Sequence, residues 1–273
     1  MNTRTNTTSR YPVIVLAGRR ENSNDPLATA AGLSHKCLIP VAGNLLITHV
    51  LNAIAASEYI SRIIISTDDP SVIDMIPATS RLREEGRLTI AAAQKNLVDS
   101  VDAALRESGY PVILTTADNA MLTHYDINAF VDAARSNNAA VAIAFARRDD
   151  VFSAHPQGQI RFYEFSDDAY SNCNLFWLSD KHALTAVESF REGGQFVKYP
   201  RRILRAFGVL NMFAFLFRWR SLSETMQALS RRFRVKIISV IVNDGALAID
   251  VDNERTRNIA EELLTIRAKK HRA

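Results

Sequence analysis

The alternation of short apolar runs with helical patterns through the first half of the chain confines it to one architecture. β-Branched runs lie at Val13–Leu16, Arg62–Ser66, Leu88–Ala91, Val112–Leu114 and Ala140–Phe145. Between them, apolar residues recur with helical spacing at Leu45–Ala56, Ser71–Ile76, Ser100–Glu107 and Ile127–Ser136. Strands that alternate with helices pair in parallel, because each helix carries the chain back along the sheet. The expectation is a Rossmann-like three-layer α/β/α fold with a mostly parallel central sheet and right-handed crossovers. Ligands then sit beyond the carboxyl ends of the strands.

The second half reads differently. Gln159–Phe165 and Asn174–Trp177 read as edge strands, Lys181 to Arg231 as a helix-rich insertion, Arg234–Val240 and Leu247–Ile249 as returning strands, and Glu254–Lys270 as a closing amphipathic helix. We expect a polar, fraying N-terminus over residues 1–10 and a single domain over 11–273. A hydrophobic fraction of 47% and a charged fraction of 23% are those of a globular protein. A net charge of +4 is too small to imply a nucleic-acid partner. The two cysteines, Cys37 and Cys173, show no metal spacing and point to a reducing, cytoplasmic compartment. The first ten residues lack the apolar stretch of a signal peptide. The most apolar run, Ala206–Phe217, is too short to span a bilayer.

Two segments carry the chemistry. The first strand ends in Leu16-Ala17-Gly18-Arg19-Arg20, and Ser34-His35-Lys36-Cys37-Leu38-Ile39-Pro40-Val41-Ala42-Gly43 follows. A loop of this kind beyond a parallel strand can wrap a triphosphate, its backbone N–H groups meeting phosphate oxygens while Arg and Lys neutralise charge. The pair resembles the signature of the nucleotidyltransferases with a GT-A-like fold. That group includes the molybdenum-cofactor (MobA-like), sugar-phosphate and methylerythritol-phosphate NTP transferases. Its usual wording, close to L-A-G-G-x-x-x-R-M…P-K-x-L-x-P-V-x-G, departs here at Arg19, which stands for the second glycine, and in a longer loop before Lys36. The resemblance implies nucleotide binding by Leu16, Ala17, Gly18, Arg19, Arg20 and Lys36. In it, Lys36 stabilises the α-phosphate, and Arg19 and Arg20 hold the β- and γ-phosphates.

The strand Val112–Thr116 runs into Asp118 at the same sheet edge. A carboxylate beside a triphosphate repels it unless a cation such as Mg²⁺ stands between them. A turn or cap aspartate is the competing reading. Asp250 and Asp252, two apart on an expected strand, share a face. The resemblance makes Asp118 and Asp252 the metal ligands, with Asp250 beside them, while Asp252 or Asn253 can also cap the last helix. It places the base or ribose near Ser100 and the acceptor near Asn172 and Asn174, while Thr115 and Thr116 either touch the ribose or are ordinary strand residues. An N-cap for Ser100 and turn-forming for the asparagines are equally open.

From Lys198 to Lys236 the chain holds Lys198, Arg201, Arg202, Arg205, Arg218, Arg220, Arg231, Arg232, Arg234 and Lys236 against Glu224. This block covers a phosphorylated acceptor, rests on anionic lipid, or is a solvated basic face. The function that the resemblance implies is transfer of NMP from an NTP, with CTP slightly favoured, to a phosphorylated small molecule such as a sugar, polyol or lipid precursor, with release of pyrophosphate. The alternatives are a glycosyltransferase using a nucleotide-sugar and a non-catalytic nucleotide-binding regulator. Oligomeric state is not legible.

Overall fold

The computed structural model describes residues 9–19, 25–187 and 209–270, apart from the side chains at 185, 187, 209, 210 and 212. Arg20 and the basic residues Lys198, Arg201, Arg202 and Arg205 lie outside the described residues. Strand β1 (Tyr11–Leu16) lies at the centre of the sheet. It pairs in parallel with β4 (Ile60–Thr67) on one side and β6 (Val112–Thr116) on the other, and β5 (Leu88–Ala92) continues in parallel beyond β4. Beyond β6 come β9 (Ala169–Leu178), β7 (Val141–Arg147) and the edge strand β10 (Ile237–Ile241). The two-residue strand β8 (Tyr163–Glu164) pairs with β9, completing eight strands. A separate hairpin joins β2 (Pro40–Val41) to β3 (Asn44–Leu45).

Both faces of the sheet are buried, as parallel strands require. Val13 and Val15 point into one core, with the helices Leu46–Ala56, His124–Ser136 and Glu254–Lys270. Ile14, between them, points into the other, with Leu97–Ser108 and Leu222–Phe233. The period-2 alternation of side chains thus puts a helical layer on each face. The three-layer α/β fold and its mostly parallel sheet are as expected. No described helix is long and apolar enough to cross a membrane.

Three elements differ from expectation. Asn174–Trp177 is not an edge strand: it belongs to β9, which runs antiparallel between β6 and β7. Cys173, Leu175, Trp177 and Leu178 are all buried there, a burial that an edge strand does not demand. Leu247–Ile249 does not return to strand. Gly245–Ala248 is a 3₁₀ turn whose cap, Asp244, accepts from Ala246 N–H at 2.9 Å. Gly245 lies so close to the backbone of Asp150 that a Cβ would fall 2.1 Å from its carbonyl carbon, so the segment packs across a helix end instead of pairing. Of Gln159–Phe165, only Tyr163–Glu164 pairs. The helices Pro77–Glu84 and Arg148–Ala154 were not anticipated.

The described part of the basic block is largely engaged with the protein. Arg218 pairs with Glu164, Arg220 donates to Asn211 at 2.6 Å, and Lys236 donates to the Asn137 carbonyl. Phe215 packs edge-on against Phe165, while Phe217 and Trp219 stack with each other and stay exposed.

Candidate active site

The site forms where β1, β4 and β6 end. Ala17 N–H donates to the Ser66 carbonyl at 2.8 Å and Ala117 N–H to the Leu16 carbonyl at 3.0 Å, so Leu16 and Ala17 extend the sheet by one rung. Gly18 then passes the loop after β5, where a Cβ would lie 2.8 Å from the Ala93 Cβ. Only glycine fits that approach. Ser100 serves the same loop from behind: its buried hydroxyl accepts from Gln94 N–H at 2.8 Å and donates to the Asn96 carbonyl at 2.9 Å. Ser100 is not the helix cap. Asn96 is, accepting from Asp99 N–H at 3.0 Å.

Arg19 leaves Gly18 and is taken at once by Asp68, beyond the end of β4. Its N–H donates to Asp68 Oδ1 at 2.8 Å and its Nε to Oδ2 at 2.9 Å. The buried His35 ring contacts the same Oδ1 through Nε2 at 3.1 Å, and its Nδ1 contacts Ser34 Oγ at 3.0 Å. Burial works against the Asp68 charge, but the two Arg19 bonds and His35 hold its carboxyl down to about 2. Asp68 is the site residue that the sequence reading missed. The available signal was the one used for Asp118, an aspartate just past the end of a parallel strand.

Lys36 opens a short 3₁₀ turn, Lys36–Leu38, after which the β2–β3 hairpin turns through Ala42 and Gly43, both at positive φ. The Lys36 ammonium lies between two carboxylates, donating to Asp118 and, at 2.7 Å, to Asp252 Oδ1. Burial would strip its proton, yet the two carboxylates overcome that and hold its pKa well above the ordinary lysine value. Asp118, also penalised by burial, is kept below the usual carboxylate range chiefly by Lys36. Asp250 goes the other way: burial, then Asp118 and Asp252, raise it well above that range.

Asp250 and Asp252 converge on this point without a strand. Val251 N–H reaches the Asp118 carbonyl at 3.3 Å and Asp252 N–H the Asp250 carbonyl at 3.0 Å, so a tight turn aims both aspartates at the site. Asn253, not Asp252, caps the last helix, its Oδ1 accepting from Thr256 N–H at 3.1 Å. Asp252 is left to Lys36.

Asn174 arrives from β9. The register between β7 and β9 slips there, and Asn174 adopts φ 49°, a bulge held by Asn172 Oδ1 accepting from Asn174 N–H at 2.6 Å. The bulge turns the Asn174 amide onto Asp250 Oδ2 at 2.6 Å. Asn172 therefore shapes the bulge, and Asn174 enters the carboxylate cluster. The structure brings together Gly18, Arg19, Lys36, Asp118, Asp250, Asp252 and Asn174, with Thr116 beside Asp118, while Ser100 acts only through the loop it orders. Two surface depressions, one lined by Asp132, Ser136, Trp177 and Ser179 and the other running along β10, are lined by none of these residues.

A sheet of this order, with a lysine held between two carboxylates at its carboxyl edge, defines an α/β nucleotidyltransferase. The chain belongs to the cytidylyltransferase family, whose profile matches residues 29–187. The fold is shared with several solved structures. A hypothetical transferase from Thermus thermophilus superposes with a TM-score of 0.73 at 20% identity, covering 91% of this chain and 99% of that one. A CMP:2-keto-3-deoxy-manno-octonic acid synthetase complexed with CTP gives 0.57 at 13% identity, over 94% and 99%. A 4-diphosphocytidyl-2C-methyl-D-erythritol synthase from Anaerococcus prevotii gives 0.55 at 10% identity, over 94% and 97%. No curated protein matches the sequence.

Proposed function

We propose that the chain transfers CMP from CTP to a small acceptor bearing an anionic oxygen, such as a phosphorylated sugar or polyol, and releases pyrophosphate. The observation that carries this is the Lys36 ammonium fixed between Asp118 and Asp252 at the carboxyl edge of the sheet. The cytidylyltransferase family supports the base. The names of the two cytidylyl-forming neighbours support a sugar acid or a polyol as the acceptor class.

Transfer of a nucleotidyl group needs in-line placement and neutralisation of charge. Lys36 meets the α-phosphate and the charge that grows on it in the transition state. Arg19 holds the outgoing phosphates, and the Gly18 loop admits them to the backbone. An acceptor phosphate is already an anion, so no side chain has to remove a proton.

The donor set fits Mg²⁺. Asp118 Oδ1 and Asp250 Oδ1 are buried oxygens without a protein partner, and hard oxygens are what magnesium takes. Among the described residues no group of three or more His, Cys, Asp or Glu side chains is arranged to hold a metal ion. Magnesium rarely needs so many, taking one or two carboxylates and filling the rest with phosphate oxygens and water. Asp118 and Asp252 would hold it, with Asp250 behind them. When bound, it supplies the positive charge that lets a triphosphate lie beside carboxylates. The Leu16-Ala17-Gly18 wording supports kinship with the wider group of which the molybdenum-cofactor transferases are one branch. The free buried thiols of Cys37 and Cys173 support a cytoplasmic setting.

A glycosyltransferase on the same sheet is disfavoured, because the position two beyond Asp118 is the buried Ala120 rather than a second aspartate. The test is thermal shift with ATP, CTP, GTP and UTP in turn, with Mg²⁺ and with EDTA, followed by pyrophosphate release across an acceptor panel. A CTP shift that vanishes with EDTA and in Asp118→Ala is the expected result. A shift with a nucleotide-sugar alone, or with no nucleotide, overturns the proposal.

A further inference from the structure

We propose that Asp68 is a positioning residue that presets Arg19 to receive the terminal phosphates of the nucleotide. The assignment rests on the nucleotidyltransferase reading of the site. At Arg19 the resemblance expects a second glycine, whose bare backbone would approach the phosphates. This chain places a long, flexible cation there instead, and an unanchored arginine would have to be immobilised each time ligand bound.

The geometry removes that cost. Asp68 accepts from the Arg19 backbone N–H at 2.8 Å and from Nε at 2.9 Å, fixing both ends of the side chain's stem. Only one of the guanidinium's five N–H donors is used. The four on Nη1 and Nη2 have no protein partner among the described residues, and the side chain is 40% exposed. A planar fork held by its Nε edge, with its other donors open, suits two phosphate oxygens at once.

The same carboxylate ties Arg19 to Lys36. His35 is almost wholly buried, contacts Asp68 Oδ1 at 3.1 Å, and immediately precedes Lys36. Ser34 Oγ contacts the other ring nitrogen at 3.0 Å. Asp68 thereby joins the two separate segments that carry the phosphate-facing cations. Gly18 packs against this junction, its nearest contacts being Ala93 Cβ and the Asp68 backbone nitrogen and carboxylate.

The experiment is calorimetric binding of magnesium tripolyphosphate, a probe independent of base and acceptor, to the full chain and four variants. These are Arg19→Ala, Arg19→Lys, Asp68→Asn and the double variant Arg19→Ala/Asp68→Asn, each compared with wild type in melting temperature. Asp68→Asn should weaken binding about tenfold, the equivalent of immobilising one long side chain. Arg19→Lys keeps the charge but not the Nε anchor, and should lose nearly as much as Arg19→Ala. The double variant should bind no more weakly than Arg19→Ala alone, because Asp68 acts through Arg19. In turnover, the loss in Asp68→Asn should appear first as a raised KM for CTP.

Wild-type affinity in Arg19→Lys, or a double variant whose loss is the product of the two single losses, overturns the proposal. In that case wild-type CTP turnover would leave the nucleotidyltransferase reading standing. Absence of tripolyphosphate binding by the wild type overturns both. Arg19 is exposed, so Arg19→Lys keeps the test decisive even where Asp68→Asn folds poorly.

Discussion

Replacing Lys36 by methionine keeps most of the side chain's volume and removes the cation that Asp118 and Asp252 share. Asp118 then becomes a largely buried carboxylate facing Asp250 and Asp252 with nothing to balance it. Removing one partner of a buried ion pair costs about 3–5 kcal/mol. The Lys36 side chain is 22% exposed and that of Asp252 64%, which places the cost at the low end, about 3 kcal/mol. For a chain of this size that lowers Tm by roughly 6–10 °C. The sign with pH follows from Asp118. In the wild type its pKa is depressed, so its contribution is complete above the ordinary carboxylate pKa and is lost as pH falls through the folded value. In the variant, burial and the neighbouring carboxylates raise it instead, so the penalty is felt at neutral pH and shrinks as Asp118 takes up a proton. The gap in Tm between wild type and Lys36→Met should be widest near about pH 7.5 and narrow toward about pH 5. Differential scanning calorimetry at both pH values reads it directly. Equal melting temperatures at neutral pH, or a gap unchanged between the two, would refute the claim that Lys36 is held by charge.

Three further outcomes are expected. Lys36→Ala and Asp118→Ala should each lower turnover by at least about 100-fold, measured as pyrophosphate release, the first by removing the cation that meets the developing charge and the second by removing the carboxylate that fixes that cation and would hold Mg²⁺. Near-normal rates in either purified protein would sink the assignment. Gly18→Ala forces a methyl to 2.8 Å from the Ala93 Cβ, and should cost about 1–3 kcal/mol in a denaturant titration together with CTP affinity. Asn174→Leu takes the amide donor from Asp250 and should raise the KM for the acceptor while leaving that for CTP near wild type; the opposite split would place Asn174 on the nucleotide side.

How much of this was legible depended on whether the signal was local. Val13, Ile14 and Val15 announce a strand buried on both faces, and Lys36 and Asp118 stand out as charged residues beside apolar strand ends. Residues 174–177 were legible as strand but not as a central one, since an apolar run looks the same wherever in a sheet it is placed, and only pairing partners distant in sequence decide. Asp68 was hidden because Thr67-Asp68-Asp69-Pro70 reads as an ordinary turn, and its partners Arg19 and His35 lie far away in sequence. The turn at Gly245–Ala248 was hidden for a different reason: Leu247 and Ile249 are as apolar as any strand, and what forbids pairing is the close approach of Gly245 to the backbone of Asp150.

The antiparallel insertion of β9 explains how one sheet edge can serve two ligands. Strands β1, β4 and β6 deliver their carboxyl ends, and with them Gly18, Asp68 and Asp118, to the side proposed to take the nucleotide. A further parallel strand in the gap between β6 and β7 would deliver another carboxyl end and another loop of the same kind. Running the other way, β9 brings its amino-terminal half, Ala169 to Asn174, to that edge, and β6 pairs only as far as Leu175. The freed half strand pairs with β7 on one side and β8 on the other, giving a rigid wall instead of a mobile loop. The bulge at Asn174 then turns one amide out of that wall onto Asp250. On the proposed function, the nucleotide and the acceptor approach Lys36 from different strands, with Asp118, Asp250 and Asp252 between them. In-line displacement asks for that separation: the attacking and leaving oxygens must stand on opposite sides of one phosphorus.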